Sequence, residues 1–378
     1  MAPADHSAVD DLRAAVRGFL QTRSPSSSVR TAMDSDTGYD AQVWRQLAGD
    51  MGLPGIAVPE EYGGAGAGLP ELAVVFDEMG AALLCSPFFA TVALATTALL
   101  TSEDRSAMAE FLPGFIDGST TATLILNGGL EQWDPGSVTL IARPSHDGFR
   151  ITGEAPMVLD GHTADVILVA ARTDARISLF AVRATAGGLN REPLATLDRT
   201  RKIARVLFDE APATLIGAEG AAANGLARTS DIALVALAAE QVGGAQRCLN
   251  MAVEYAKSRI QFGRPIGSFQ AVKHRCADML VLVEGARSAA AHAASTASTT
   301  PNGDAADRGE LSIAASVAKM ASSEAFLHAA LDNMRIHGGI GFTWEHDAHL
   351  YVRRAKASQL MFGSPDTHAL RLADLITT

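Results

Sequence analysis

Cysteine, aromatic residues and net positive charge are scarce in this chain of 378 residues. Its three cysteines, Cys85, Cys248 and Cys276, lie far apart, which argues against a disulfide framework and against a metal site with cysteine ligands. This cysteine usage fits a reducing cytoplasm. The 42 acidic residues outnumber the 31 basic ones and give a net charge of −11. Such a balance argues against binding to nucleic acid, because that role needs Lys and Arg to neutralise phosphates.

Long apolar runs are missing as well. Charged residues or glycine interrupt the alanine-rich apolar stretches, so we predict no membrane span. The first residues, Met1 to His6, lack the basic and apolar regions of a signal peptide. A hydrophobic share of 48% and a charged share of 19% are typical of a globular protein, and the length predicts two or three domains.

The first part of the chain has helical periodicity. Apolar residues recur at helical spacing in the set Val9, Leu12, Val16, Phe19 and Leu20. A turn-rich link follows at 52–64, where glycine and proline disfavour a helix. Further helices are predicted at 69–84 and 91–100. We therefore predict an N-terminal helical domain over residues 1–120.

The pattern changes after residue 120. Short runs rich in β-branched residues, separated by glycine-containing turns, predict strands at 121–126, 137–141, 165–169 and 177–182. They indicate a middle β-domain over 121–215, which we predict to be a small barrel or sandwich. Helical periodicity returns in a domain over 216–378, with a Ser/Thr/Ala-rich run at 295–303 that predicts an inter-helix loop. The fold class is α+β and mostly α.

Two segments of the last domain carry chemistry. The first runs from Tyr255 to Gly267 and contains Arg259-Ile-Gln261-Phe262-Gly263-Arg-Pro. Glycine at a left-handed C-cap and proline after it predict that a helix ends at this turn. Taken alone, the segment is most simply a helix cap with a solvated arginine.

The second segment is Arg335-Ile-His337-Gly338-Gly339-Ile-Gly341. Paired glycines let a backbone approach a phosphate or an adenine closely, although an ordinary turn is the alternative. Three histidines, His337, His346 and His349, lie in or soon after this stretch, and the last two have the i, i+3 spacing of metal ligands. No further ligand pattern accompanies them, so we predict a polar helix start and no metal.

Together with Pro59-Glu-Glu-Tyr62-Gly-Gly64, these segments resemble the flavin-dependent acyl-CoA dehydrogenase family over essentially the whole chain. The resemblance implies an N-terminal helical domain, a middle β-barrel or sandwich and a C-terminal four-helix bundle that mediates oligomerisation. It also implies that Arg259 and its neighbours reach across a dimer interface to the diphosphate and adenine of FAD. The planar donors of arginine suit that role. The predicted cofactor-binding residues are Arg259, Gln261, Phe262, Gly263, Gln270, Arg335, Gly338 and Gly339.

The chain departs from the family where the catalytic base should be. Removing a proton α to a thioester carbonyl needs a positioned carboxylate, which the family usually carries in a Tyr-Glu-Gly-Thr-like turn. Here that position is Phe362, and the other position that some members use is Ala233. Glu240 lies about two helical turns, or about 10 Å, beyond Ala233 on the same face. It is a weak candidate base, and a structural or interface carboxylate is the favoured interpretation.

Two further departures concern the cofactor. The family's Thr-Glu-Pro-x-Ala-Gly-Ser-Asp and Trp-Ile-Thr segments cradle the flavin ring, and here they correspond to 126–131 and to Met157-Val-Leu159. The stacking tryptophan and the hydroxyl donors are gone, so the chain's own barrel is not expected to hold a flavin. The family usually has glutamine at Arg335, where a cation could bind the diphosphate or block the site.

These departures predict a non-catalytic, β-type subunit of an α₂β₂ acyl-CoA dehydrogenase. A homologous catalytic chain would supply the flavin pocket and the glutamate, and FAD would be shared across the interface. Such an assembly resembles the bacterial α₂β₂ enzymes that oxidise bulky acyl-CoA thioesters, including those of steroid side chains. Two alternatives stay open. One is a self-sufficient homo-oligomeric dehydrogenase with a displaced base such as Glu240, and the other is a scaffold without flavin.

Overall fold

The computed structural model describes residues 6–127, 129–174, 176–299 and 305–377. Its chain packs as two compact units, one of residues 1–30, 69–84 and 234–378 and the other of 31–68 and 85–233. The predicted domain boundaries at 120 and 215 stay a prediction. Among the described residues, no helix is long and apolar enough to cross a membrane.

Two of the N-terminal helices, α3 and α6, begin at aspartate side chains that satisfy free backbone N–H groups. Asp40 accepts from the backbone N–H groups of Gln42 and Val43, and Asp104 accepts from those of Ser106 and Ala107. The helices are α1 His6–Arg23, α2 Ser26–Asp34, α3 Ala41–Gly49, α4 Leu69–Ala81, α5 Thr97–Ser102 and α6 Arg105–Ile116. The helix predicted at 69–84 is confirmed as α4. The one predicted at 91–100 is a π-helical segment, Phe89–Thr96, that leads into α5.

The link at 52–64 contains only two short 3₁₀ turns, Leu53–Gly55 and Glu60–Tyr62, among its described residues. Gly64 has a packing reason to be glycine, because a Cβ there would lie 2.0 Å from the carbonyl oxygen of Val58. The predicted absence of a long helix in this link is confirmed.

The middle of the chain forms a closed sheet, as predicted. Within the described residues its strands are β1 Ala122–Ile125, β2 Ile141–Ser145, β3 Gly148–Leu159, β4 Val166–Thr173, β5 Arg176–Arg183, β6 Leu189–Pro193 and β7 Ile203–Ile216. The order β2-β3-β7-β5-β4 closes on itself because β4 also pairs with β2. In addition, β1 pairs with β4 in parallel orientation, and β6 pairs with β7 in antiparallel orientation. The inside is filled by apolar side chains such as Ile151, Val169, Phe180, Val206 and Phe208.

One strand prediction was wrong, and three strands, β3, β6 and β7, were missed. Pro135–Ser137 is a 3₁₀ turn, and the next strand starts only at Ile141. Asp134 holds that turn, since its side chain accepts from the backbone N–H of Gly136 at 2.8 Å. The missed strands β6 and β7 have many polar residues. In β7 buried and exposed positions alternate over much of the strand, and Asp209 and Glu210 interrupt its apolar residues.

The last part of the chain consists of long helices. They are α7 Ala223–Ser258, α8 Gln270–Thr299, α9 Ala305–His337, α10 Ala348–Leu360 and α11 Pro365–Thr377. The loop predicted at 295–303 was wrong for 295–299, which continue α8, and its remainder lies outside the described residues. Helices α4 and α7 touch through their backbones. A Cβ on Gly243 would lie 1.7 Å from the carbonyl oxygen of Asp77, and one on Gly80 would lie 1.9 Å from that of Glu240.

Candidate functional site

The first predicted segment is a small β-hairpin. Helix α7 ends at Ser258, and β8 Ile260–Gln261 pairs with β9 Arg264–Pro265. The turn residues Phe262 and Gly263 both have positive φ, 55° and 75°, which is the requirement of a type I′ hairpin turn. The prediction that Gly263 caps the helix was therefore wrong, because the helix ends earlier and the glycine serves the hairpin.

The hairpin presents its side chains to solvent. Arg259, Gln261 and Gln270 are exposed, and Phe262 at the tip is 89% exposed. Two backbone bonds anchor the hairpin base, since the N–H of Arg259 donates to Tyr255 O and the N–H of Ile266 donates to Arg259 O, each at 2.8 Å. The backbone of Arg259 is thus fixed, while within the described part of the chain its guanidinium makes no ion pair.

The second predicted segment closes helix α9. Arg335 lies in its last turn, and Gly338–Phe342 form a 3₁₀ turn that starts with Gly338 at a φ of 64°. A Cβ added to Gly338 or Gly339 would meet no described atom within 4 Å. The space beside these glycines is therefore open to a ligand. Gly341 differs, because a Cβ there would lie 2.6 Å from Met334 O.

A stack of rings brings the two segments together. The His337 ring stacks on Tyr255 at a centroid distance of 4.3 Å, and the His346 ring lies 4.3 Å from His337 at a tilt of 49°. Tyr255 is one helical turn before Arg259, and His337 precedes Gly338, so both segments share one face of the helical unit. The histidines serve this packing, and no group of residues that could hold a metal occurs in the part of the chain that the structure describes.

Arg335 belongs to a charged cluster that the sequence did not reveal. The buried carboxylate of Asp332 accepts from Arg335 Nη1 at 2.9 Å and from Arg275 Nη1 at 2.7 Å. Both arginine side chains are about half exposed, at 56% and 47%. One shared acceptor therefore pins two guanidinium groups side by side. The pair Asp332 and Arg335 could have been noticed from its i, i+3 spacing, whereas Arg275 comes from another helix.

The position of the family's glutamate is a buried apolar turn. Phe362 is 2% exposed and has a φ of 59°, in the left-handed region that a bulky side chain rarely adopts. Its carbonyl oxygen accepts from Nε2 of the buried His368 at 2.9 Å. The Phe362 side chain cannot accept a proton as a carboxylate would.

His368 should make the stability of the protein depend on pH. Burial lowers its pKa to about 4, the Phe362 carbonyl opposes that shift, and Lys319 and Arg371 add to it. A protonated ring would also bury an Nδ1–H donor that has no partner among the described residues. The unfolded state, with an ordinary histidine pKa of about 6.5, binds the proton first as pH falls. The free energy of unfolding therefore carries no penalty from His368 above about pH 6.5. Between that pH and pH 4 it falls by about 3 kcal/mol.

The test compares urea unfolding at pH 7 and pH 4 in wild type and His368→Gln. Glutamine can still donate to the Phe362 carbonyl but does not titrate, so the fall in unfolding free energy should be smaller by about 3 kcal/mol. His146→Gln is the control, because that side chain is 89% exposed. An equal fall in all three proteins would contradict the prediction.

Glu240 is bound in an internal ion pair. Its Oε1 lies 2.5 Å from Nη1 of Arg354, and the two side chains are 7% and 3% exposed. A carboxylate held by a buried arginine is fixed in its orientation, which supports the structural interpretation. Ala233, the other position that some family members use, is fully buried.

The strand that corresponds to the family's flavin wall is apolar. Met157 is 42% exposed, whereas Val158 and Leu159 lie inside. Asn127 in the preceding segment donates to Gln132 O at 2.7 Å, and its Oδ1 has no hydrogen-bond partner within the described residues. Its neighbour Gly128 lies outside the described residues. The side chains of 157–159 carry no hydroxyl, and the nearby hydroxyl of Thr123 already donates to Leu159 O at 2.6 Å.

Known sequences agree with this architecture. The profile of the acyl-CoA dehydrogenase N-terminal domain matches residues 7–119, and that of the acyl-CoA dehydrogenase C-terminal domain matches 231–376. Acyl-CoA dehydrogenase IpdE2 of Mycobacterium tuberculosis is 38% identical over 360 residues, covering 94% of this chain and 92% of that protein. Acyl-CoA dehydrogenase FadE34 of the same organism is 39% identical over 91% of this chain, but the match spans only 44% of FadE34.

Solved structures agree as well. A variant of the "Tcur3481-Tcur3483 steroid ACAD" superposes with a TM-score of 0.85 at 32% identity, covering 98% of both chains. The ChsE4-ChsE5 complex from Mycobacterium tuberculosis superposes with a TM-score of 0.87 at 27% identity, covering 98% of this chain and 97% of the other. On these matches the chain belongs to the acyl-CoA dehydrogenase family, FAD flavoproteins that oxidise CH–CH bonds.

Proposed function

We propose that this chain is a non-catalytic subunit of a heteromeric, FAD-dependent acyl-CoA dehydrogenase. It contributes the residues for the diphosphate and adenosine half of FAD, while a homologous partner contributes the flavin pocket and the catalytic glutamate. One contrast carries the proposal. The Arg259 hairpin and the Gly338 turn share an exposed face, whereas the position of the base is the buried Phe362.

The exposed face fits the diphosphate end of FAD. Arg259 has a fixed backbone and a guanidinium without an ion pair among the described residues, and Gly338 and Gly339 border open space. Arg335, held by Asp332, adds a second cation, which favours binding of the diphosphate over blockage. FAD supplies the hydride acceptor of α,β-dehydrogenation, and this chain's part is to hold its far end.

The same face fits a partner chain. Four large apolar residues beside the two segments are exposed: Ile260 at 54%, Phe262 at 89%, Ile340 at 50% and Phe342 at 68%. An exposed apolar group of this kind marks a protein interface. Two related structures are named for pairs of different chains, and one of them is called a steroid enzyme. We extend both properties to this chain: a homologous catalytic partner and a bulky acyl-CoA substrate of the steroid side-chain class.

The visible absorbance of the purified protein tests the proposal. We expect the full chain alone to be colourless and inactive toward acyl-CoA thioesters in a dye-reduction assay. Co-expressed with its catalytic partner, it should form a yellow, active complex. A stable yellow homo-oligomer with turnover would support the self-sufficient alternative, and a chain that is colourless in every complex would support the scaffold.

A further inference from the structure

A cavity of about 820 Å³ lies among α1, α2, α4, α7, α8 and the start of α10. Of the described residues that line it, none belongs to the Arg259 hairpin, the Gly338 turn or the Phe362 turn. Its volume is in the range that takes a small organic ligand. The cavity is therefore separate from the cofactor face, and nothing in the proposed function occupies it.

Buried carboxylates in the cavity wall are already neutralised. Glu78 accepts from Arg13 at 2.9 Å and from Arg17 at 2.7 Å. Asp77 accepts from Arg13 at 2.5 Å and from Arg287 at 3.2 Å. Both acids are less than 10% exposed. These acids therefore do not give the cavity a negative charge, and they hold three guanidinium groups at its wall.

Positive charge remains unmatched on one side. Asp347, the other acid of the wall, pairs with Arg30 at 2.8 Å. Arg247 also lines the cavity, and its partner is the hydroxyl of Tyr351. Within the described residues Arg247 makes no ion pair. In a chain with a net charge of −11, this wall is a local site of positive potential.

A hydrogen-bond chain orients a second donor beside Arg247. Arg287 donates to Gln246 Oε1 at 2.9 Å, and Gln246 Nε2 donates to Asn250 Oδ1 at 3.0 Å. The acceptor atom of the Asn250 amide is thereby used, which leaves its Nδ2 as a donor. Arg247 and Asn250 lie three residues apart on α7 and so on the same helix face. Two donors in this arrangement can grip the oxygen atoms of one anion.

Four apolar residues form another part of the lining, beside the polar Gln21, Ser24 and Ser26. Leu20, Val29, Leu83 and Leu350 line the cavity and are buried. A ligand that is complementary to both the basic and the apolar parts of the lining has an anionic head and an apolar body.

We propose that this cavity binds an amphipathic anion, a carboxylate or a phosphate monoester, with its head on Arg247 and Asn250. The apolar body lies against the leucine-lined wall. The binding is independent of FAD and of the partner chain.

Calorimetric titration of the full chain tests this site with three probes of equal chain length: octanoate, octyl phosphate and octyltrimethylammonium. We expect the anions to bind with 1:1 stoichiometry and the cation not to bind. The two anions distinguish a carboxylate ligand from a phosphate ligand by which of them binds more tightly. Saturable binding of the cation with equal affinity would overturn the proposal, because it would show that the apolar wall acts alone.

Arg247→Gln removes the charge and keeps a polar side chain. We expect it to weaken binding of the tighter anion at least tenfold, since a charge-assisted hydrogen bond is lost. Arg23→Gln is the matched control, because Arg23 is an exposed arginine of α1 that does not line the cavity. The proposal fails if neither anion binds, if Arg247→Gln binds like wild type, or if Arg23→Gln weakens binding equally.

Discussion

Replacing Arg259 with alanine should cause the heteromeric complex to lose its bound FAD and should leave this subunit folded. A charge-assisted hydrogen bond to the diphosphate contributes about 1.5–3 kcal/mol, which corresponds to a loss of affinity of roughly 10- to 150-fold. The fold should tolerate the change because the side chain is exposed and forms no ion pair within the described residues. An exposed arginine of this kind contributes little to stability.

The measurement is the ratio of FAD to protein after gel filtration, together with the dissociation constant from flavin fluorescence. Lys257→Ala is the control, because Lys257 is another exposed cation near the end of α7. Thermal unfolding of the purified subunit should be the same for wild type and both variants. If the Arg259→Ala complex keeps its full complement of FAD, then Arg259 is only a surface residue beside a hairpin.

Replacing Phe362 with glutamate should destabilise the subunit strongly and create no dehydrogenase. The side chain is 2% exposed, and removing a buried Phe side chain alone costs about 3–5 kcal/mol. Burying a carboxylate without partners adds to that cost. Activity should stay absent, because a general base works only when the flavin and the thioester Cα are within reach. The apolar strand at Met157, Val158 and Leu159 offers the flavin no hydroxyl donor.

Urea unfolding of the isolated subunit measures its stability, and a dye-reduction assay measures its dehydrogenase activity. Phe362→Leu is the matched variant, since it keeps an apolar side chain in the same left-handed backbone position and should cost less than Phe362→Glu. Acyl-CoA oxidation by the Phe362→Glu subunit without any partner would show that its barrel does hold a flavin.

Local patterns were sufficient for helices α1 and α4, for the helical run at 91–100, and for the class of the middle and last domains. Helix α4 and the run before α5 follow from the spacing of apolar residues, and β4 and β5 follow from short runs of β-branched residues. The prediction failed where tertiary partners decide. Strand β7 is polar on alternate positions and is stable because it pairs with β3, β5 and β6. The segment at 295–299 continues α8 despite its loop-like composition.

The same distinction between sequence and tertiary structure applies to the candidate site. The sequence alone determined which residues are available: Arg259 and the paired glycines are present, and Phe362 stands where a carboxylate is usual. Only the tertiary structure decided how they are used. Stacking of Tyr255 on His337 joins two segments that are distant in sequence. Long-range ion pairs couple Glu240 to Arg354, and Arg275 to the same carboxylate as Arg335. Such pairs depend on how helices pack, and helical periodicity specifies one face of a helix but not its neighbour.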